Sequence, residues 1–186
     1  MTVNNIDKLA EELERQELEA PTGIASPQVY SQLLAIYLYQ NDLPNAKFLW
    51  KRVPASIKAS TPELAQIWAV GQHLWKSDFS LVYKTLNSVN WSESVAEIMS
   101  NVQVVVRQRA VELISKAYSS ITLENVQEMT GLLPDVCVQA CIEKGWGVDA
   151  DTKMVYPVRE VKEMGAPPSS EDQLYKLTDF VSFLEN

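Results

Sequence analysis

One histidine, two cysteines and a row of glutamates are the residues in this chain with chemistry to offer, and none is grouped to perform it. His73 stands alone, so neither a two-histidine catalytic zinc site nor a Ser-His-Asp relay can be assembled around it, and no nucleophile elbow is present. Cys137 and Cys141 share one helix face, but no second pair or nearby histidine completes four metal ligands, so they read as core thiols. Glu11, Glu12, Glu14 and Glu17 read as a solvated helix face, with no apolar pocket around them to lift a carboxyl pKa for acid–base work. The six glycines spell neither GxxxxGK[ST] nor GxGxxG, which leaves phosphate cradling by a glycine loop without support. The tryptophans, Trp50, Trp68 and Trp75 among them, fall at core-like spacings and read as packing. The expectation is a protein that is not an enzyme and holds no cofactor and no metal.

Composition narrows the remaining classes. The chain has 186 residues, 46% of them hydrophobic and 22% charged, a globular balance. Its net charge of −8 denies it the broad positive field that drives non-specific nucleic-acid binding. No run approaches the roughly 20 apolar residues of a membrane span. Residues 1–7 are polar, unlike a secretion leader, and two cysteines make no disulfide framework, so a reducing intracellular compartment is expected. Asn90-Trp91-Ser92 spells a glycosylation acceptor that carries no meaning without a secretory route.

Helical spacing of apolar residues dominates the first two thirds. Ile6, Leu9, Ala10 and Leu13 mark a first helix, broken by Ala20-Pro21-Thr22-Gly23. Ser26-Pro27 and Thr61-Pro62 are helix-start signals, because a proline at the first helical position has no N–H to leave unpaired. The helices they open carry Tyr30, Leu33, Leu34, Tyr37 and Leu38, then Leu64, Ile67, Trp68 and Leu74. Asp42 and Asp78, 36 positions apart, each cap a short helix after a tight turn; the same offset pairs Leu38 with Leu74 and Ala46 with Val82. A long helix follows from Ser92 through Val102, Val106, Ala110, Leu113 and Ala117, with Val105 and Ile114 widening its stripe. Residues 1–118 therefore read as a short helical-repeat solenoid.

The pattern changes at residues 119–158, which read as a winged helix. Thr122 caps a helix that Gly131 stops, and a second helix from Pro134 carries Val136, Ala140 and Cys141 on one side before Lys144-Gly145 ends it. Two β-like runs, at Trp146-Gly147-Val148-Asp149 and Met154-Val155-Tyr156, make a small hairpin. The second helix carries Asp135 and Glu143 against Lys144, the wrong sign for contact with DNA phosphates. Met154, Val155 and Tyr156 are read instead as an unpaired edge able to extend a neighbour's sheet. Residues 159–170 are a linker by composition. Ser170 and Gln173 form a capping-box pair opening a last helix, residues 171–186. Leu174, Leu177, Val181 and Leu184 give that helix a coiled-coil seam, and Phe180 and Phe183 with Tyr175 make its other side apolar too, as if meant for the inside of a bundle.

Four blocks resemble a known family: Gln16-Glu17-Leu18-Glu19-Ala20-Pro21 with Gly23-Ile24-Ala25, then Asn45-Ala46-Lys47-Phe48-Leu49-Trp50-Lys51-Arg52, then Ile67-Trp68-Ala69-Val70-Gly71-Gln72, and the ending Leu177-Thr178-Asp179-Phe180-Val181-Ser182-Phe183-Leu184-Glu185-Asn186. They are similar to the PCI-domain scaffold subunits of the proteasome lid, translation initiation factor 3 and the constitutive photomorphogenesis 9 signalosome, most closely the signalosome's eighth-subunit branch. The resemblance implies a mainly α fold, with a TPR-like solenoid, a winged helix and a detached C-terminal helix. It also implies a non-catalytic place in a machine, present in cytoplasm and nucleus, that removes the Nedd modifier from cullin ubiquitin ligases. Its partners there are other PCI subunits, especially the third, and the C-terminal helices of the core subunits, in a hetero-oligomer with no nucleic acid and no membrane. The alternatives are a small PCI subunit of the proteasome lid or of initiation factor 3, and a winged-helix DNA-binding regulator.

Overall fold

Caps made by single side chains, Ser26, Asp42, Asp78 and Thr122, decide where four of the described helices begin. In the computed structural model, which describes residues 3–20, 23–149, 151–158 and 170–185, ten helices and a three-stranded sheet are seen among the described residues. The first, α1 (Val3–Leu18), buries Ile6, Ala10 and Leu13 and leaves Leu9 half-buried. The second, α2 (Pro27–Gln40), starts where Ser26 accepts the Val29 N–H. It buries Ser31, Ala35 and Ile36 as well as the expected Tyr30, Leu33, Leu34, Tyr37 and Leu38, because α1, α3 (Leu43–Arg52), α5 (Pro62–Trp75) and α7 (Glu93–Ala117) all pack against it. It is the axis of the solenoid.

The two turns 36 residues apart share one geometry. Asn41 and Ser77 both take the left-handed conformation, with φ of 63° and 57°. Asp42 and Asp78 then accept from the backbone N–H three residues on, at Asn45 and Leu81, both at 3.1 Å. Each turn opens a ten-residue helix, α3 and α6 (Phe79–Ser88). Short α4 (Ala55–Ser60) follows Pro54 and leads through Thr61 into α5.

Long α7 runs past both halves of the core. Val95, Ile98, Met99, Val102 and Val106 join the first apolar cluster, built with α1 to α6. Ile114 joins a second cluster with Ile121, Val126, Cys137, Cys141, Trp146 and Val155. The stripe expected through Leu113 and Ala117 is displaced. Ile114 is buried, whereas both of those side chains are exposed.

In the second cluster, Thr122 caps α8 (Leu123–Thr130) by accepting the Asn125 N–H, and α9 (Pro134–Glu143) ends in the left-handed Gly145. The buried face of α9 is Cys137 and Cys141; Val136, expected beside Cys141, is more than half exposed, as is Ile142. The sheet differs from the expected hairpin by one strand. Ile121–Thr122 forms β1, Gly147–Asp149 forms β2 and Met154–Tyr156 forms β3, in the order β1-β3-β2, all antiparallel. Met154–Tyr156 is thus the central strand, with Val155 opposite Ile121 on one side and Val148 on the other. The reading of Met154, Val155 and Tyr156 as an unpaired edge is corrected: all three pair with β2, Met154 and Val155 also pair with β1, and Val155 is fully buried. Of the expected linker, residues 159–169 lie outside the described residues, as do Pro21, Thr22, Ala150 and the side chains of the Ser170–Gln173 pair.

Candidate functional site

The residues with chemistry to offer are spent on structure. Glu14 accepts the Tyr37 hydroxyl at 2.8 Å, and burial with this bond pushes the Tyr37 phenol well above its ordinary pKa. Glu17 takes the Arg52 guanidinium through both oxygens, at 2.8 and 3.2 Å. Part of the glutamate row on α1 therefore fastens α1 to α2 and α3, where a purely solvated face was expected. The Cys141 thiol is hydrogen-bonded to Cys137; that bond and burial hold it far above the ordinary thiol range, and both cysteines are buried. Trp50 and Trp68 stack at 5.7 Å, but Trp75, also read as packing, is 53% exposed. Among the described residues no group of three or more His, Cys, Asp or Glu is placed to hold a metal, and no helix is long and apolar enough to cross a membrane.

The surfaces left open are of another kind. The last helix, α10 (Ser170–Glu185), makes no substantial packing contact with any other element. Leu174, Leu177, Phe180, Val181, Phe183 and Leu184 are all at least 50% exposed, with Phe183 at 77%, and Tyr175 is equally bare. The seam residues Leu174, Leu177, Val181 and Leu184 recur every three or four positions, and Phe180 and Phe183 lie beside them on the helix wheel. Burial of each seam side chain releases about 1.5–3 kcal/mol of transfer free energy, whereas one helix of this length is marginal alone in water. Such a helix needs a partner.

The second open surface is the rim of the small sheet. With β3 inside, the edge strands are the two-residue β1 and the longer β2, residues Gly147–Asp149. Asp149 ties the turn beyond it, accepting the Thr152 hydroxyl at 2.7 Å and the Asp151 N–H at 3.0 Å. The Thr152 bond, then the backbone N–H groups, hold its carboxyl below the usual range. Tyr156 presents its side chain, 47% exposed, while Met154 is half-buried.

Between these surfaces and the solenoid lies a joint that nothing in the sequence pattern announces. The Tyr83 hydroxyl of α6 donates to the Met129 carbonyl at 3.2 Å, and Arg107 Nε of α7 donates to the Thr130 carbonyl at 2.9 Å. The Arg107 guanidinium lies 5.8 Å over the Tyr83 ring. Gly131 has φ of 65°, and a Cβ there would meet that ring at 2.5 Å. In the sequence Gly131 carries the signal of a helix stop alone, and nothing marks Arg107 or Tyr83.

The model of the CSN8/PSMD8/EIF3K family matches residues 24–165, more than half of the chain. The chain belongs to the CSN8/PSMD8/EIF3K family. Among curated members, a Xenopus laevis protein named COP9 signalosome complex subunit 8 is 48% identical over 98% of this chain and 93% of its own length. A Drosophila melanogaster protein of the same name is 36% identical over 100% of both chains, and one from Arabidopsis thaliana is 33% identical over 84% of this chain and 79% of its own. The CSN8/PSMD8/EIF3K match stops short of α10, while the alignment with the fly protein runs through it.

Proposed function

We propose that this chain is a non-catalytic scaffold subunit of the COP9 signalosome, in the machine that deneddylates cullin-RING ubiquitin ligases in cytoplasm and nucleus. The relatives' names supply the complex, and α10 supplies the manner of joining it. Its apolar residues, Leu174, Leu177, Phe180, Val181, Phe183 and Leu184, enter a bundle with the C-terminal helices of the other core subunits. The winged helix, residues 119–158, sits against a neighbouring PCI subunit, foremost the third. Its contact there is the β2 edge and the Tyr156 side chain, in place of the β3 backbone. On this reading the isopeptide chemistry belongs to another subunit. The family's description also covers subunits of the proteasome lid and initiation factor 3, but the relatives at 31–48% identity carry the signalosome name. DNA recognition by α9 meets Asp135 and Glu143 at the surface, where phosphate demands cations.

The observation that carries this reading is a sixteen-residue helix whose described apolar side chains all face water. Its test is purification of the tagged full chain and of residues 1–170 from cells, with identification of the co-purifying proteins. Signalosome subunits are expected with the full chain and lost with the truncated one, while circular dichroism reports an intact core. Equal recovery of these partners by both forms refutes the role of α10. Recovery of proteasome-lid or initiation-factor subunits instead refutes the choice of complex.

A further inference from the structure

The solenoid carries a charge of its own. From Asp42 to Ser88 there are six Lys and Arg residues against three carboxylates, a local balance of +3 in a chain whose net charge is −8. All three carboxylates are engaged: Asp42 and Asp78 cap helices, and Glu63 accepts the Ser92 N–H and hydroxyl at 2.7 and 3.0 Å. Arg52 is taken by Glu17. Lys47, Lys51 and Lys76 have no carboxylate partner among the described residues.

Two of these lysines neighbour Trp75, which lines a cavity. Where the two equivalent turns meet α7, a recess of about 390 Å³ is walled by Leu43, Leu74, Trp75, Phe79, Leu113 and Arg109. Asn41 and Ser77, the left-handed residues of both turns, complete its rim, so the recess is a product of the repeat itself. Its mouth holds the two large apolar side chains that this face leaves bare, Trp75 at 53% and Leu113 at 46% exposure. Lys47 Nζ lies 4.7 Å over the Trp75 ring, Lys76 follows Trp75 directly, and Lys51 is one helical turn beyond Lys47. On the recess wall, Arg109 donates to the Tyr39 carbonyl at 2.6 Å and adds a fixed positive charge.

An apolar socket rimmed by unpaired cations is complementary to a ligand with an apolar anchor and flanking negative charge. We infer that this face, at the α2–α3 and α5–α6 turns, binds a short acidic peptide segment of a partner protein, one aromatic or aliphatic side chain seated in the recess and its carboxylates on Lys47, Lys51 and Lys76. A long polyanion such as nucleic acid is disfavoured, because it extends beyond the patch into the field of the acidic remainder. A short peptide sees only charges within about 8–10 Å, the screening length at physiological salt. This surface is separate from α10 and the β2 edge, so the inference stands or falls independently of the assembly reading.

The test is fluorescence anisotropy with the full chain. The probe is a fluorescein-labelled twelve-residue Glu/Asp peptide with one central Phe, against the same peptide with Ser for Phe, its Lys-rich counterpart, and a twelve-nucleotide single strand of DNA. Saturable, salt-sensitive binding of the acidic Phe peptide is expected, weakened about tenfold by the Ser replacement. Charge reversal by Lys47→Glu with Lys76→Glu, the first half-buried and the second exposed, is expected to weaken it about tenfold or more while the melting temperature holds, and Lys47→Arg to preserve it. Leu113→Glu, which fills the mouth from an exposed position, is expected to do the same as the charge reversal while the melting temperature holds. Failure of the acidic peptide to bind above the Lys-rich one overturns the inference. So does binding unmoved by either class of variant, or tighter binding of the oligonucleotide at the same lysines.

Discussion

Tyr83 and Phe183 are both aromatic residues on helices of this chain, and they are treated in opposite ways. Tyr83 is 5% exposed, its hydroxyl is on the Met129 carbonyl, its face is under Arg107, and its flank lies against a glycine that leaves no room for a methyl group. Phe183 is 77% exposed on a helix with no substantial packing contact among the described residues. At the joint, the burial free energy of the aromatic is realised within the chain, and it fixes how α6 and α7 meet α8. On α10 the same kind of side chain is left in water, so its burial energy is available only to another molecule. A residue's type fixes how much free energy its burial can release; the presence of a neighbouring element decides whether folding or assembly receives it.

The contrast breaks most sharply at Gly131. Gly131→Ala places a methyl group against the Tyr83 ring in a left-handed backbone, and the expected loss is about 2–4 kcal/mol of unfolding free energy in urea titration. Gly145→Ala has a similar φ but nothing within 4 Å, so only the backbone strain of about 1 kcal/mol is expected there. Equal losses at the two glycines contradict a tight joint.

Tyr83→Phe has a smaller effect, about 1–2 kcal/mol, from leaving the Met129 carbonyl unpaired. It also changes the response to alkali. Burial pushes the Tyr83 phenol up to about 12 from an ordinary 10.0, with the Arg107 charge opposing, so the folded chain keeps a proton that the unfolded chain has released. The associated stability is whole below pH 10 and is lost as pH rises toward 12. Urea titrations between pH 8 and 11.5 are expected to show a shallower alkaline decline for Tyr83→Phe, with the raised phenol of Tyr37 maintaining part of the slope.

The smallest stability effect is expected on α10. Leu177→Asp and Val181→Asp remove no intramolecular packing, so each alters the unfolding free energy of the free chain by less than about 0.5 kcal/mol. Recovery of partner subunits with the tagged chain is expected to fall to background. A drop of several degrees in the melting temperature of the free chain would place α10 inside the fold and erase the contrast with Tyr83.

Much of the architecture is legible in the sequence because its signals are local. Ser26, Asp42, Asp78 and Thr122 act on N–H groups three residues away, and each starts a helix where the pattern predicts. The 36-residue offset is legible for the same reason. The face of α9 is not, because Val136, Cys137, Val138, Ala140, Cys141 and Ile142 make it apolar nearly all round, and the positions of α8, the sheet and Ile114 select the cysteines. Two-residue β1 is too short to show an alternation, and without it the central strand reads as an edge. For the candidate surfaces the pattern reveals that α10 is apolar but not that it stands bare, since a core helix is written in the same residues. The recess beside Trp75 depends on how two distant turns converge, which spacing alone does not encode.

The two apolar clusters share one rod. At 25 residues and about 1.5 Å each, α7 is about 37 Å long, and it contributes Val106 to one cluster and Ile114 to the other. A cut after residue 118 leaves the downstream fragment without Ile114 and Val111, a whole wall of its interior. The wing is therefore not an excisable module, and both halves are expected to melt in one cooperative transition. A fragment meant to carry the wing alone has to begin inside the long helix, upstream of Val111.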